Sequence, residues 1–302
     1  MHIVSASRRT DIPAFHADWF MNRIRAGKAT VLTPFGGGYQ EVSLAADDVI
    51  AIVFWTKNAQ PLLKYLSELS ERGFYYSFLY TVNNYPDFLE PLVPKLSPTM
   101  KVIEKLATTV DGPLIRWRYD TIVMTEELNL RWHVKNFEKL CRCLAPFSSR
   151  CIFSFCDYYR KTRRNMAFHV PDFVEPTLSE QQGAANELAE IAGKYGISFE
   201  SCAHDALVKG PIQKGRCIDP DWLSYLIKSQ ERRSELSELK MRPSRKDCAC
   251  IASKDIGAYD TCKHGCIYCY ANANLEIARR NVSLIDREAS CLTPRSAMKA
   301  QA

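Results

Sequence analysis

Five cysteines lie close together near the carboxyl-terminal end of the sequence. Cys248 and Cys250 come first, and Cys262, Cys266 and Cys269 follow within a short stretch. The last three are spaced C-x-x-x-C-x-x-C, with a tyrosine directly before the third. Thiolates at such intervals on a tight loop can converge on one metal ion or one iron–sulfur cluster. The spacing therefore predicts a metalloprotein with Cys262, Cys266 and Cys269 as ligands.

The spacing alone leaves the choice of metal open. Structural zinc prefers four nitrogen or sulfur ligands, and the five cysteines could supply four with one to spare. Zinc ribbons usually carry two C-x-x-C pairs, whereas here a C-x-C pair precedes the triplet. That asymmetry favours an iron–sulfur cluster on the triplet. Cys248, Cys250 and the more distant Cys217 are then candidates for a second cluster, for a zinc that ties the segment down, or for free thiols.

Charged residues near the ends of predicted strands are the other candidates for chemistry, because parallel α/β barrels carry their active sites at the carboxyl ends of the strands. On one predicted strand, alternation puts Arg116, Arg118 and Asp120 on one face. Two arginines facing one way need either acidic partners, such as Asp120, Asp11 or Asp157, or an anionic ligand. The candidate catalytic residues are Arg8, Asp11, Lys57, Arg116, Arg118, Asp120 and Asp157, and His204 is a further acid–base or metal candidate.

The elements that must position these residues alternate along the chain. Strands are predicted at residues 3–7, 30–33, 49–55, 75–81, 114–119, 151–155 and 198–202, and helices at 15–26, 59–72, 98–109, 126–144, 179–195, 219–229 and 270–280. Six or seven strand–helix units in series imply parallel strands with right-handed crossovers. The sequence therefore predicts a parallel (β/α) barrel, TIM-like or partial, in preference to an open sheet.

Composition and length set the limits of this arrangement. The 302 residues are 46% hydrophobic, enough to bury a large core. Residues 1–229 are predicted to form the barrel body, 230–247 a charged linker, and 248–302 a cysteine-rich segment that completes the barrel. The net charge of +6 is shared by both halves and permits nucleic-acid binding without indicating it. The basic residues 160–164 are predicted to lie in a solvated loop, with a nucleic-acid backbone as the alternative partner.

The sequence also predicts a location. No apolar run is long enough to cross a bilayer, and the amino terminus lacks the apolar core of a secretory signal. Twelve cysteines in such a chain favour reduced thiols and metal ligation over a disulfide framework. We therefore expect a cytoplasmic protein without a membrane partner.

Residues 262–269, Cys-Lys-His-Gly-Cys-Ile-Tyr-Cys, resemble the cluster loop of radical S-adenosylmethionine (radical SAM) enzymes, in particular the spore-photoproduct-lyase-like branch. The resemblance implies a [4Fe–4S] cluster on Cys262, Cys266 and Cys269, with the fourth iron open to S-adenosylmethionine. Cleavage of that sulfonium would give a 5′-deoxyadenosyl radical that abstracts hydrogen from the substrate. It also implies a reductant such as ferredoxin or flavodoxin, and a place for Tyr268 beside the adenine, with packing under the loop as the alternative.

The position of this motif differs from that in radical SAM enzymes, where it follows the first barrel strand. Circular permutation would reconcile the two. Residues 251–259 would then form the strand before the cysteine loop, and residues 3–7 the next strand. We expect these two strands to be neighbours, and the triplet to lie over the same barrel mouth as Arg8, Lys57 and Arg118.

The whole chain is also similar to an uncharacterised family, the domain-of-unknown-function family 1848. Residues 5–15, Ser-Ala-Ser-Arg-Arg-Thr-Asp-Ile-Pro-Ala-Phe, and residues 255–262, Asp-Ile-Gly-Ala-Tyr-Asp-Thr-Cys, carry the similarity. The family offers no established activity. The glycine-rich residues 35–41 stand where radical SAM enzymes often hold the amino-acid end of the cofactor, but the glutamate is displaced and a plain turn is the alternative.

Three hypotheses follow from the sequence. The leading one is a radical SAM-type enzyme acting on a small-molecule or nucleic-acid substrate, with the arginines favouring an anion. The second is an α/β-barrel enzyme or binding protein whose cysteines hold structural zinc or an electron-transfer cluster. The third is a nucleic-acid-binding or nucleic-acid-modifying protein that uses the cysteine module as a finger.

Overall fold

A sheet of eight parallel strands dominates the computed structural model, which describes residues 1–33, 38–109 and 114–293. The order of strands across the sheet is β11-β10-β8-β6-β5-β4-β1-β12, and β2 with β3 and β7 with β9 form two small antiparallel pairs outside it. The strands are β1 His2–Ala6, β2 Lys28–Leu32, β3 Tyr39–Ser43, β4 Val49–Thr56, β5 Tyr76–Thr81, β6 Ile115–Ile122, β7 Met124–Thr125, β8 Arg150–Phe155, β9 Phe173–Val174, β10 Ser198–Ser201, β11 Gln213–Lys214 and β12 Lys254–Asp255.

Helices cover the outer face of this sheet. Trp117 of β6, for example, stacks on Phe137 with ring centroids 5.0 Å apart. The helices are α1 Ile12–Phe15, α2 Ala17–Arg25, α3 Leu66–Glu71, α4 Leu96–Ala107, α5 Leu130–Leu144, α6 Arg160–His169, α7 Leu178–Lys194, α8 Pro220–Leu226, α9 Gln230–Ser237 and α10 Leu275–Ser283, with 3-10 helices at Ala46–Asp48, Gln60–Tyr65 and Asp205–Leu207.

The inner face of the sheet is buried as well. Ile3 of β1, Ile152 of β8 and Cys217 beyond β11 belong to one apolar cluster, although their strands are far apart in the sheet order. A flat sheet could not bring them together, so the sheet must curl. The two edges of the sheet also approach each other. Ile218 follows edge strand β11 and Ile251 precedes edge strand β12, and the backbone N–H of Ile251 donates to the carbonyl of Ile218 at 3.3 Å. The predicted α/β fold with parallel strands is confirmed, and in the described residues it is a curled sheet whose edge strands are not paired with each other.

The carboxyl-terminal strand β12 returns to the amino-terminal strand β1, as permutation requires. The two strands pair in parallel, with Val4 opposite Lys254 and Ser5 opposite Asp255. The Asp255 carboxylate accepts hydrogen bonds from Ser7 Oγ at 2.6 Å and from the backbone N–H of Arg8 at 2.8 Å. Both segments that carry the family similarity are thus in direct contact.

Several local predictions were wrong. The strand predicted at residues 30–33 lies in the β2–β3 pair and not in the main sheet. The basic residues 160–164 begin helix α6 and do not form a loop, because Thr162 and Met166 give this segment a buried side. Residues 35–37 of the glycine-rich stretch lie outside the described residues.

The segment predicted as a charged linker, residues 230–247, is packed along part of its length. It begins with α9, where Leu236 is buried. Arg232 donates to the carbonyls of Gly73 at 2.7 Å and Ala46 at 3.1 Å, which anchors the helix. Across the described ranges, none of the helices has the length and apolar character needed to span a membrane.

Candidate metal centre at the mouth of the sheet

The cysteine loop, residues 262–269, lies over the carboxyl ends of the first strands of the sheet. Asp11 lies just past β1, and its Oδ2 is 2.8 Å from His264 Nε2. Lys57 lies just past β4, and its Nζ donates a hydrogen bond to the Tyr268 hydroxyl at 3.2 Å. Beyond the loop, the Tyr270 hydroxyl donates to the Arg8 carbonyl at 2.6 Å. These contacts follow from the β1–β12 pairing, because β12 leads directly into the loop. The predicted position over the mouth with Arg8 and Lys57 is confirmed.

The three thiols of the loop are half-buried, and their charges influence one another. Burial, together with the nearby Asp11 and Cys269 charges, raises the pKa of Cys262 to about 12. Burial also raises the pKa of Cys266 well above its usual value, against the nearby Lys57 ammonium. Cys269 Sγ accepts a hydrogen bond from the Ala271 N–H at 3.3 Å. The thiols are therefore protonated when free, and a metal would bind with release of protons.

The thiols do not surround a common centre in this arrangement. Within the described residues, no three His, Cys, Asp or Glu side chains are gathered as a ready metal site. The loop nevertheless presents Cys262, Cys266 and Cys269 close enough for each to influence the charge of another.

A buried ion pair supports the loop from below. Lys57 Nζ lies 2.7 Å from Glu90 Oε1, and both side chains are almost fully buried. Burial disfavours the charged forms, but their mutual attraction outweighs it, so the pKa of Lys57 is raised and that of Glu90 is lowered. Tyr268 donates to the same Glu90 carboxylate and accepts from Asn83 at 3.1 Å. Sequence reasoning missed Glu90 and Asn83, because neither belongs to a recognisable motif.

Tyr268 is therefore held by protein contacts on its hydroxyl. Its ring also meets Tyr85 edge-on, with centroids 6.0 Å apart. These contacts support the packing role that the sequence left as an alternative. They do not test the predicted position beside an adenine.

Asp11 is used to position other groups. Its Oδ1 accepts from the Thr56 hydroxyl at 2.7 Å and from the Ala14 N–H at 3.0 Å, and its Oδ2 accepts from the Lys57 N–H at 2.7 Å. With His264 on the same oxygen, this carboxylate joins β1, β4 and the cysteine loop. Asp11 stays a predicted catalytic candidate, and in this structure its carboxylate positions Thr56, Lys57 and His264.

Two arginines face the interior of the mouth above the same aromatic ring. The guanidinium carbons of Arg8 and Arg118 each lie 4.8 Å from the centroid of Trp55. Arg118 also pairs with Asp120, one of the partners predicted for it, and Asp120 accepts from Ser154 Oγ. In contrast, Arg8 has no carboxylate partner among the described residues. Its guanidinium donates to Ser253 Oγ at 3.4 Å, and the nearby Asp255 charge raises its pKa without forming an ion pair with it.

The remaining candidates are distributed between the mouth and the interior. Asp157 lies 3.3 Å from His204 Nε2 and pairs with Arg245. Arg116 is not brought to the cysteine loop. It is completely buried and paired with Glu200 at 2.7 Å, in a network that sequence reasoning missed because no motif marks Glu200. The acidic partners proposed for Arg116, Asp11 and Asp157, do not contact it.

The fold brings the cysteines of the candidate second site near one another, with one close sulfur pair. Cys217 Sγ lies 3.4 Å from Cys202 Sγ, and further thiol contacts run from Cys217 to Cys250 and from Cys250 to Cys248. Sequence reasoning placed Cys217, Cys248 and Cys250 together but missed Cys202. Its position as the last residue of the strand predicted at residues 198–202 was the only available signal.

A family model described as "Domain of unknown function (DUF1848)" matches residues 3–271. No curated protein matches the chain significantly. A solved structure of the pneumococcal virulence factor StrH, concerned with N-glycan recognition and hydrolysis, is 9% identical, with 80% of this chain and 63% of that chain covered and a TM-score of 0.27. A second structure, of tandem GH20 catalytic modules in pneumococcal StrH, is 10% identical, with 81% and 67% covered and the same TM-score. The chain thus spans less than two thirds of the first structure, and such TM-scores carry no inference about function.

Proposed function

The chain belongs to the DUF1848 family, and we propose that it is an iron–sulfur enzyme of radical SAM type. In this proposal Cys262, Cys266 and Cys269 hold three irons of a [4Fe–4S] cluster, and the fourth iron is left free of protein ligands. The substrate meets the cluster at the mouth of the curled sheet. The proposal extends to an electron donor such as ferredoxin or flavodoxin.

The observation that carries the proposal is the parallel pairing of β12 with β1. Because of it, the cysteine loop directly follows a strand of the parallel sheet and lies at the carboxyl end of that sheet, although it is encoded after the other strands. The resemblance to radical SAM enzymes requires this spatial order. Parallel α/β enzymes place their chemistry at the same end.

The groups around the loop suit a cluster with a net negative charge. Lys57 and Lys161 lie close enough to Cys269 to lower its pKa, against the larger effect of burial. The N–H of Ala271 points at Cys269 Sγ, the type of hydrogen bond that tunes cluster potentials. When bound, the cluster would supply the electron that cleaves S-adenosylmethionine. The chain itself contributes the thiols, the nearby cations and the burial.

The mouth also favours a substrate or cofactor group with negative charge. Arg8 offers a guanidinium without a carboxylate partner in the described part of the chain, and Trp55 lies beneath it. Guanidinium groups bind carboxylates and phosphates through paired N–H donors. We expect Arg8 to bind such a group, with Tyr270 holding the backbone of Arg8 in place.

Anaerobic purification with iron and sulfide analysis tests the cluster. We expect a brown protein with about four irons per chain, and loss of iron when Cys262, Cys266 and Cys269 are all replaced by alanine. Cys143→Ala, a half-buried cysteine of α5, is the matched control and should keep its iron. Colourless protein with zinc on the triplet would contradict the proposal.

A second measurement tests the use of S-adenosylmethionine. The reduced four-iron protein should release 5′-deoxyadenosine from S-adenosylmethionine, and the triple alanine variant should release none. A protein that holds four irons yet releases no 5′-deoxyadenosine under reduction would exclude the radical SAM assignment and leave an electron-transfer cluster.

A further inference from the structure

Four cysteines outside the loop come from three separate parts of the chain and meet inside the curled sheet. Cys202 lies just past β10, Cys217 lies past β11, and Cys248 and Cys250 precede β12. The N–H of Ile218 donates to Cys250 Sγ at 3.4 Å. We call these four residues the inner cysteine cluster. It lies where the two edges of the sheet approach each other.

The sulfurs of the inner cysteine cluster form a continuous series of contacts. Cys202 Sγ and Cys217 Sγ are 3.4 Å apart, and Cys250 lies near enough to both Cys217 and Cys248 to change the pKa of each. Cys217 and Cys250 are only 3% and 2% exposed. Such a separation is too long for a disulfide and near the roughly 3.8 Å expected between two thiolates bound 2.3 Å from one tetrahedral metal.

Positive charge surrounds this cluster. The Arg8 guanidinium is close enough to interact with the charges of Cys217 and Cys250, and Arg118 with those of Cys217 and Cys202. Neutral thiols would give these guanidinium charges little electrostatic stabilisation. Four thiolates around a divalent metal carry a net charge of about −2, which the two guanidiniums would stabilise in addition to the carboxylates near them, Asp255 for Arg8 and Asp120 for Arg118.

We propose that Cys202, Cys217, Cys248 and Cys250 bind one structural Zn²⁺ ion. Four protein thiolates close the coordination sphere, which is typical of structural and not of catalytic zinc. The sulfurs now form a series of contacts without a common centre, so binding would turn the Cys248 side chain inward. The metal would join the β10–β11 edge to the segment that leads into β12, and so hold the cysteine loop over the mouth.

Metal analysis of the full chain and of matched variants tests this proposal independently of the proposed function. We expect about one zinc per chain in the wild type, in the Cys262→Ala, Cys266→Ala, Cys269→Ala triple variant, and in Cys141→Ser, whose thiol is buried in α5 away from both sites. The Cys217→Ser, Cys250→Ser double variant should lose at least nine tenths of its zinc. If the triple variant loses its iron but keeps its zinc, the loss concerns the cysteine loop and leaves the zinc proposal intact.

A cobalt titration keeps the proposal falsifiable should the double variant fail to fold. The metal-free triple variant should bind one equivalent of Co²⁺ with the absorption of a tetrahedral thiolate site, and Zn²⁺ should displace it. Three outcomes would overturn the proposal. They are a wild-type protein that binds neither metal, iron in place of zinc in the triple variant, and a Cys202–Cys217 disulfide, seen as a loss of two mass units, in the protein purified anaerobically.

Discussion

The interior of the curled sheet holds positive charge in two different ways. Near the start of β6, Arg116 is completely buried and lies 2.7 Å from Glu200 and 3.1 Å from Asp219. At the mouth, Arg8 faces Trp55 and, among the described residues, pairs with no carboxylate. Both arginines are largely removed from water, but only the first forms close ion pairs, whereas the Asp255 charge acts on Arg8 without an ion pair.

This difference separates a structural network from a binding site. Arg150 joins the same two carboxylates, so the network around Arg116 contains two cations and two anions and needs no ligand. A guanidinium without such partners costs free energy unless an anion is added. We therefore expect substitutions in the network to change stability, and substitutions at the mouth to change binding.

The largest effect on stability is expected for Arg116→Met. Removing this guanidinium leaves Glu200 with only the half-buried Arg150, and breaking a buried pair in this way costs about 3 kcal/mol of the free energy of unfolding. Urea denaturation measures it. Arg142→Ala, which removes an exposed arginine 4.0 Å from Glu138, is the control and should change stability by less than about 1 kcal/mol. Equal effects of both variants would remove the distinction between network and surface.

The next largest effect on stability concerns the pairing of β12 with β1, which places the cysteine loop over the mouth of the sheet. A Cβ added to Gly257 would lie 2.0 Å from Ser7 Oγ, so Gly257→Ala should cost about 1–3 kcal/mol by overpacking. Gly183→Ala adds the same methyl group in open space on α7, and should stabilise the helix by up to about 1 kcal/mol. Thermal denaturation of both variants provides the comparison. A stable Gly257→Ala protein would contradict the close approach of β12 and β1.

A smaller effect is expected inside the cysteine loop. Gly265 has a φ of +72°, and its alanine variant should lose about 1–2 kcal/mol from backbone strain. Gly210→Ala shares the left-handed backbone but has open space around it. In Gly265→Ala the added methyl would also press on Leu275 and Pro91, each 3.2 Å away. We expect the iron content to fall in Gly265→Ala alone. Unchanged iron in both variants would show that the loop geometry does not control the cluster.

The smallest effect on stability is expected for Arg8→Gln, which completes the comparison with Arg116. Loss of its contact with Trp55 should cost less than about 1 kcal/mol. The release of 5′-deoxyadenosine should nevertheless fall at least tenfold, because the mouth loses its unpaired cation. Arg8→Lys should restore part of the activity by restoring charge. A variant that loses stability but keeps its activity would reverse the roles assigned to the two arginines.

Sequence patterns predicted much of the fold for clear physical reasons. Strands such as β4 and β5 are buried on both faces, so their continuous apolar runs could be identified directly. The β2 strand, Lys28–Leu32, is also rich in β-branched residues, and only its antiparallel pairing with β3 removes it from the main sheet. Helix α6 was missed because its basic surface hides two buried positions, Thr162 and Met166.

The candidate site was predictable where spacing carries the chemistry. Cys262, Cys266 and Cys269 are close in sequence, and any folded loop keeps them close in space. Cys202 joins Cys217 across a strand edge, and nothing in the spacing of the two residues indicates this. Glu200 and Glu90 were equally hidden, because a lone carboxylate in a strand or a turn has no pattern until its cation partner is known.

The amino-acid sequence by itself determined the order of parallel strands and helices, the cysteine triplet and the expectation that the last strand returns to the first. The first two depend on local composition or on residues near in sequence, and the third on the resemblance of the cysteine loop to that of radical SAM enzymes. Tertiary structure alone decided that Arg116 is balanced by Glu200 while Arg8 is left without a carboxylate in the described residues, and that four distant thiols meet. Those outcomes depend on how the sheet curls, because curvature sets which inward-facing side chains from distant strands come into contact.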